Sequence, residues 1–228
     1  MIVVFEKGFA LRHIGHLDLM RTIQRALRRT SLPIRYSNGF NPHIQMSFAA
    51  PLSVGVVGMH ELMDVPMANE FNEEAFTKEL NRVLPGCLHV CRSRTVPDDF
   101  PTLMALVAGS RIRIEIEAGE AADKIAAVFP EFMASGELVT LRKTKSGENM
   151  TNIRPFVTEG SIEKAANGYT LRCVIANRQD GSLKPAVLMN ALCELAEIES
   201  ASYIAYRDVI LAKGKDGQLM ELEEYVYV

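Results

Sequence analysis

Seven residues, Ser37-Asn38-Gly39-Phe40-Asn41-Pro42-His43, come shortly after a stretch that carries Arg21, Arg25, Arg28 and Arg29. Guanidinium forks suit phosphate oxygens and planar carboxylates. Asn38-Gly39 is a turn signal because both residues tolerate positive φ, and Pro42 pushes Asn41 away from helical geometry. Such a turn holds backbone N–H groups outward. Phe40 fits no alternating strand, so it either stacks on a base or another flat group, or folds back to anchor the loop on the core. Asn41 and His43 add hydrogen-bonding edges. The candidate set for binding RNA or a partner is therefore Arg12, Arg21, Arg25, Arg28 and Arg29 with Tyr36, Ser37, Asn38, Gly39, Phe40, Asn41 and His43.

His13, His16 and His43 fall in the same region. A metal site needs three or four converging ligands, and no acidic or Cys partner completes this set, so no metal is assigned. His16 and His43 are candidate acid-base groups for cleaving RNA, with arginines stabilising the phosphorane charge, although no spacing demands that chemistry. Cys87 and Cys91 lie on one side of an extended segment, where packing explains them as well as metal binding does. The chain has no Walker loop, dinucleotide fingerprint, three-cysteine cluster motif or Gly-x-Ser-x-Gly elbow. Arg142, Lys143, Lys145 and Arg154 form a second basic cluster that could extend a positive surface.

The charge is unevenly spread. Residues 1–60 carry seven basic side chains against Glu6 and Asp18, a net of plus five in a chain of net charge −3. On a helical wheel Arg21, Arg25 and Arg28 share a narrow sector, with Arg29 and Asp18 at its edge and Met20, Ile23 and Leu27 nearly opposite. One acid cannot neutralise four arginines.

The elements that must position these groups follow from periodicity. IVVFE predicts a strand, His16 to about Ser31 a helix and PIRYS a second strand. HIQMSFAA and HELMDVPMA read as extended, NEEAFTKELNRVL as a helix and CLHVCRSRTV as a strand. The second half repeats the order. RIRIEIEA alternates, EAADKIAAVFPEFMAS is helical up to an interruption at Pro130, and ELVTLRKT is extended. A loop rich in Ser, Gly and Asn leads to a further strand. YTLRCVIANR, the helix KPAVLMNALCELAEI and the strand ASYIAYRDVILA complete the half. Asp216-Gly217 signals a hairpin before an acidic tail.

The expected fold class is α+β: two tandem ferredoxin-like (βαββαβ) domains, each an antiparallel sheet with its helices on one face. Residues 1–98 form the basic domain, and residues 99–228 form the second, with a hairpin insertion and a C-terminal tail. Nearly half the residues are apolar, enough for a sizeable core. With no long apolar run, no signal-peptide pattern and four cysteines, the chain reads as cytoplasmic, its thiols reduced and without a membrane partner.

Phe5-Glu6-Lys7-Gly8, Leu11-Arg12, His16-Leu17-Asp18-Leu19-Met20-Arg21, Arg25-Ala26-Leu27-Arg28-Arg29, Leu32-Pro33, Tyr36-Ser37, Gly39-Phe40-Asn41-Pro42-His43 and Ser47-Phe48 together resemble the radical-SAM-linked family, a domain of unknown function. Lys145 with Gly147, Ile153-Arg154-Pro155 and Gly181-Ser182 with Pro185 continue the resemblance. The chain departs from the family pattern at Ile44-Gln45, where Pro-Lys is usual. The resemblance implies a separate radical SAM protein as partner. That enzyme would use S-adenosylmethionine and an iron-sulfur cluster, with no cofactor in this chain. The tandem order is also similar to CRISPR repeat-processing RNA endonucleases, as an analogy of fold alone. The expectation is a noncatalytic module that binds RNA, such as tRNA or rRNA, and presents it to the radical SAM enzyme. The alternatives are a metal-independent RNA endonuclease and a protein-only adaptor docking on that enzyme.

Overall fold

In the computed structural model the described residues are 1–144, 147–179 and 181–227. They form a mixed α+β structure of mostly antiparallel strands and, among these residues, six α-helices. Two compact units divide the chain, Met1–Val107 with Arg207–Val228, and Ala108–Tyr206.

The first unit runs β1 (Ile2–Lys7), α1 (His16–Leu27), β2 (Ser47–Phe48), β3 (Val56–Asp64), α2 (Glu73–Val83), β4 (Leu88–Arg94) and the short α3 (Leu103–Leu106). β1 lies between β4 and β3, antiparallel to both, and β2 pairs with the end of β3 at Met63 and Asp64. Alternation of β1 sends Val3 and Phe5 to one face and Ile2 and Val4 to the other. On the first face Leu19, Ile23, Ala26 and Leu27 of α1 and Phe76 and Leu80 of α2 close a core over Val3, Phe5, Met63, Leu88 and Val90. α2 is started by Asn72, whose side chain accepts from the Ala75 N–H at 2.9 Å.

The predicted helix over residues 16–31 stops at Leu27, where the last turn tightens and the Thr30 hydroxyl donates to the Leu27 carbonyl at 2.6 Å. PIRYS does not form the strand expected of it, and of the extended segment HIQMSFAA only Ser47–Phe48 is a strand. Two isolated bridges, Ile34 to Met67 and Tyr36 to Ile44, and the two-residue β2 take their place. Pro33 and Pro42 remove ladder donors, and burying Ile34 and Ile44 satisfies the core without a long strand.

The second unit contains β5 (Val107–Glu117), α4 (Glu120–Ala134), β6 (Val139–Thr144), β7 (Gly147–Asn152), β8 (Val157–Ala165), β9 (Gly168–Ala176) and α5 (Pro185–Leu195). β9 lies between β5 and β8, antiparallel to both. β6, expected as a strand of the main sheet, pairs instead with β7 as a separate two-stranded hairpin, and β8 takes the place in the sheet. Pro130 lies inside α4 and does not end it. Phe129 and Phe132, both buried with centroids 5.9 Å apart, anchor the helix on either side of it.

β10 (Tyr203–Lys213) supplies residues to both units, and Gly217, with φ +81°, turns it into β11 (Leu219–Glu221), antiparallel to it. The tail ends as α6 (Leu222–Tyr227). Leu222 and Val226 of α6, with Leu103 of α3, cover Ile2, Val4, Leu62, Ile210 and Ala212 on the second face of the first unit's sheet. Helices therefore flank both faces there. Residues 207–228 belong to this unit because that apolar face needs a lid, whereas the sequence expectation keeps them with residues 99–206.

Candidate functional site

α1 buries its apolar stripe and leaves Arg21, Arg25, Arg28 and Arg29 exposed. Three of these converge. Arg25, Arg28 and Arg29, with Thr22 and the Val83-Leu84-Pro85 segment after α2, line a groove of about 710 Å³. Arg29 Nη2 donates to the Val83 carbonyl, which fixes that guanidinium against the opposite wall. Among the described residues the side chains of Arg25 and Arg28 make no hydrogen bond or ion pair. They lie at the C-terminal end of α1, where cations also complement the helix dipole. Leu84 and Pro85 give the groove an apolar portion beside the charges.

The remaining arginines are placed differently. Arg21 Nη1 lies 3.3 Å from Asp18 Oδ1. Arg12 donates from Nη1 to the Phe9 carbonyl at 3.1 Å, with its guanidinium 3.7 Å above the Phe9 ring. Both are held by their own neighbourhoods rather than by the groove.

Residues 37–43 form a closed loop. The Ser37 N–H donates to the His43 carbonyl at 2.8 Å, the His43 N–H donates to Ser37 Oγ at 3.1 Å, and Ser37 Oγ and His43 Nδ1 share a hydrogen bond at 2.7 Å. Gly39 turns the apex with φ +127°, a value that side-chain-bearing residues rarely adopt. Phe40 does not fold back on the core; its relative exposure is 106%. Tyr36, Asn38 and Asn41 are exposed as well. Among the described residues no hydrogen bond, ion pair or ring contact joins this loop to the arginine groove.

A third constellation was missed in the sequence. Lys7, Glu61 and Arg207 are buried in the first unit. Arg207 Nε donates to Glu61 Oε1 at 2.7 Å, a second nitrogen reaches Oε2, and the same guanidinium donates to the carbonyls of Ala50 at 3.1 Å and Pro51 at 3.2 Å. Lys7 Nζ donates to the carbonyls of Arg12 at 3.2 Å and Ile14 at 3.4 Å. Burial pushes the Lys7 pKa down, Glu61 opposes the shift and Arg207 adds to it. His16 begins α1 in edge contact with Phe48 at 5.1 Å, and burial followed by the Arg207 charge lowers its pKa. The signal was a charge in an inward register: Lys7 follows Val3 and Phe5, and Arg207 falls between Ala205 and Val209. These groups tie down the segments around residues 8–15 and 50–51, which flank the start of α1.

The other sequence candidates are dispersed. His13 is exposed, and among the described residues no group of three His, Cys, Asp or Glu side chains could hold a metal ion. Cys91 is raised to about 11 by burial and by the charges of Glu6 and Glu223. Of the second basic cluster, Arg154 is turned inward, donating to the carbonyls of Val157 and, at 2.7 Å, Met133. Lys145 lies outside the described residues, as do the side chains of Arg142 and Lys143.

A family model described as an uncharacterized protein conserved in bacteria (DUF2344) matches residues 1–185. The chain belongs to this family. The DUF2344 match takes in both the arginine helix and the Phe40 loop. No curated protein matches the chain. No described helix is long and apolar enough to cross a membrane.

Proposed function

We propose that this protein is an RNA-binding module that presents its RNA, of the tRNA or rRNA kind, to a separate radical SAM enzyme. The observation that carries the RNA half is the groove: Arg25 and Arg28, without internal partners among the described residues, stand beside the fixed Arg29. A phosphodiester supplies the anion that the chain itself does not. The partner half is supported by the sequence resemblance to the radical-SAM-linked family. Each unit is taken as a ferredoxin-like half. The strand order β4-β1-β3 with β2 also paired to β3, and the order β10-β5-β9-β8, support this, with β6 and β7 as the hairpin insertion and β10 also neighbouring β3 in the same sheet.

Binding of a structured RNA measured between low and physiological salt tests the reading. Affinity falls steeply with salt, and Arg25→Ala reduces the logarithmic slope by about 0.7 to 0.9 for the lost phosphate contact. A flat salt response overturns it. Cleavage of the RNA by the purified chain without metal, abolished by His43→Ala, points to the endonuclease alternative. Capture of the radical SAM protein that survives nuclease treatment, without retained RNA, points to the adaptor.

A further inference from the structure

We propose that the loop from Tyr36 to Ile44 binds an unpaired nucleobase by stacking it on the Phe40 ring, so that the RNA taken is single-stranded at this position. The inference rests on the RNA-binding reading and specifies the form of nucleic acid that it requires.

Phe40 is a ring the fold does not use. It reaches 106% relative exposure, and among the described residues it has no ring partner. The ring is nevertheless well positioned. Ser37 and His43 close the neck with the contacts at 2.7, 2.8 and 3.1 Å, and the Gln45 N–H donates to the Arg35 carbonyl at 3.2 Å just below them. Ile44 is buried in the core cluster beneath, which fixes the base of the loop. Gly39 provides the apex turn, and beyond its own chain neighbours no atom lies within 4 Å of where its side chain would be.

The surroundings of the ring select its occupant. Asn38, Asn41 and His43 are all exposed and flank Phe40, each offering hydrogen-bonding atoms without net charge on the amides. Residues 36–44 contain no acid, and the exposed apolar side chains besides Phe40 are Pro42 and Tyr36, whose hydroxyl adds a further hydrogen-bonding group. A protein docking knob gains its energy from a cluster of apolar anchors in a desolvated pocket. One flat ring rimmed by amide and imidazole edges instead matches a heterocycle, which needs a stacking face and in-plane donors and acceptors. Bases in a duplex are already stacked, and separating them opposes binding, so the ring selects unpaired bases.

The chain has no tryptophan, so Phe40→Trp introduces a single indole reporter at the apex. Titration with a single-stranded oligoadenylate quenches its emission, with the midpoint that anisotropy reports for the same oligonucleotide. The corresponding duplex produces little quenching. Phe40→Ala weakens single-strand binding by about 5- to 150-fold, and its thermal unfolding and the salt slope remain those of the parent. Salt-dependent binding without indole quenching, or Phe40→Ala affinity within twofold of the parent, overturns the stacking role and leaves the arginine groove standing. Absence of salt-dependent RNA binding in the parent chain overturns both. Loss of a co-purifying protein in Phe40→Ala, with RNA affinity retained, assigns the loop to protein docking and overturns it too.

Discussion

Arg207 and Glu61, 146 residues apart in sequence, form a buried ion pair with Nε 2.7 Å from Oε1. Phe5 is the β1 partner of Glu61, so the carboxylate lies on the face of the sheet that α1 and α2 cover. Removing one member strands the other without water. Glu61→Ala is expected to destabilise the first unit by about 3–5 kcal/mol in urea denaturation. Replacing both by apolar residues does not restore full stability, because the Ala50 and Pro51 carbonyls also lose their donor.

The four arginines of α1 and of the turn that ends it should not contribute equally to RNA binding. Arg21 is already paired with Asp18, whereas Arg28 lines the groove without a partner among the described residues. Arg28→Ala should therefore lower the salt slope by nearly a full phosphate contact and Arg21→Ala by distinctly less. Parallel anisotropy titrations of the two variants at four or five salt concentrations check the ranking. Equal slopes would remove the groove as the preferred site.

Pro130 shows why helix limits were only partly legible. A proline inside a helix removes one hydrogen bond and clashes with the preceding turn, so the sequence pattern predicts a break. Buried Phe129 and Phe132 on either side outweigh that local cost. Pro130 is itself exposed, so Pro130→Ala restores the backbone donor without opening a cavity. It should raise unfolding free energy by about 1–3 kcal/mol, read from chemical denaturation.

The regular elements were legible because their apolar spacing is set by the faces they bury: β1, α1, α2, β5, β9, α5 and β10 all lie where periodicity puts them. Pairing was not. Val139 and Leu141 alternate as a main-sheet strand would, yet they stand exposed on the β6–β7 hairpin, since alternation specifies a strand but not its neighbour. The arginine stripe was legible for the same reason as α1. The opposite wall was not, because nothing local in Val83-Leu84-Pro85 announces which helix it will face. Lys7, Glu61 and Arg207 needed three distant strands to be aligned before their convergence became visible.

Cys91 is exposed as a residue but its thiol is raised to about 11, by burial first and then by Glu6 and Glu223. The thiolate is the reactive form. At pH 8 its alkylation should be about a hundredfold slower than that of an unperturbed cysteine of pKa 9.0. Mass-spectrometric labelling with iodoacetamide, quenched at intervals, measures the rate. Labelling of Cys91 as fast as a model peptide would contradict the shielding.

His16 gives the pH dependence. Its pKa lies below the ordinary imidazole value of about 6.5, because burial and then the Arg207 charge disfavour the imidazolium. The unfolded chain therefore binds this proton at higher pH than the folded chain does. The stability associated with neutral His16 is fully present above pH 6.5 and is lost as pH falls through the folded-state value. In His16→Gln that loss disappears, so the difference in urea midpoint between parent and variant should shrink from pH 7.5 toward acid. An NMR titration of the His16 ring should give a midpoint below 6.5. Raising that midpoint in Arg207→Met combined with Glu61→Gln, which leaves no unpaired carboxylate behind, would identify the guanidinium as a source of the shift.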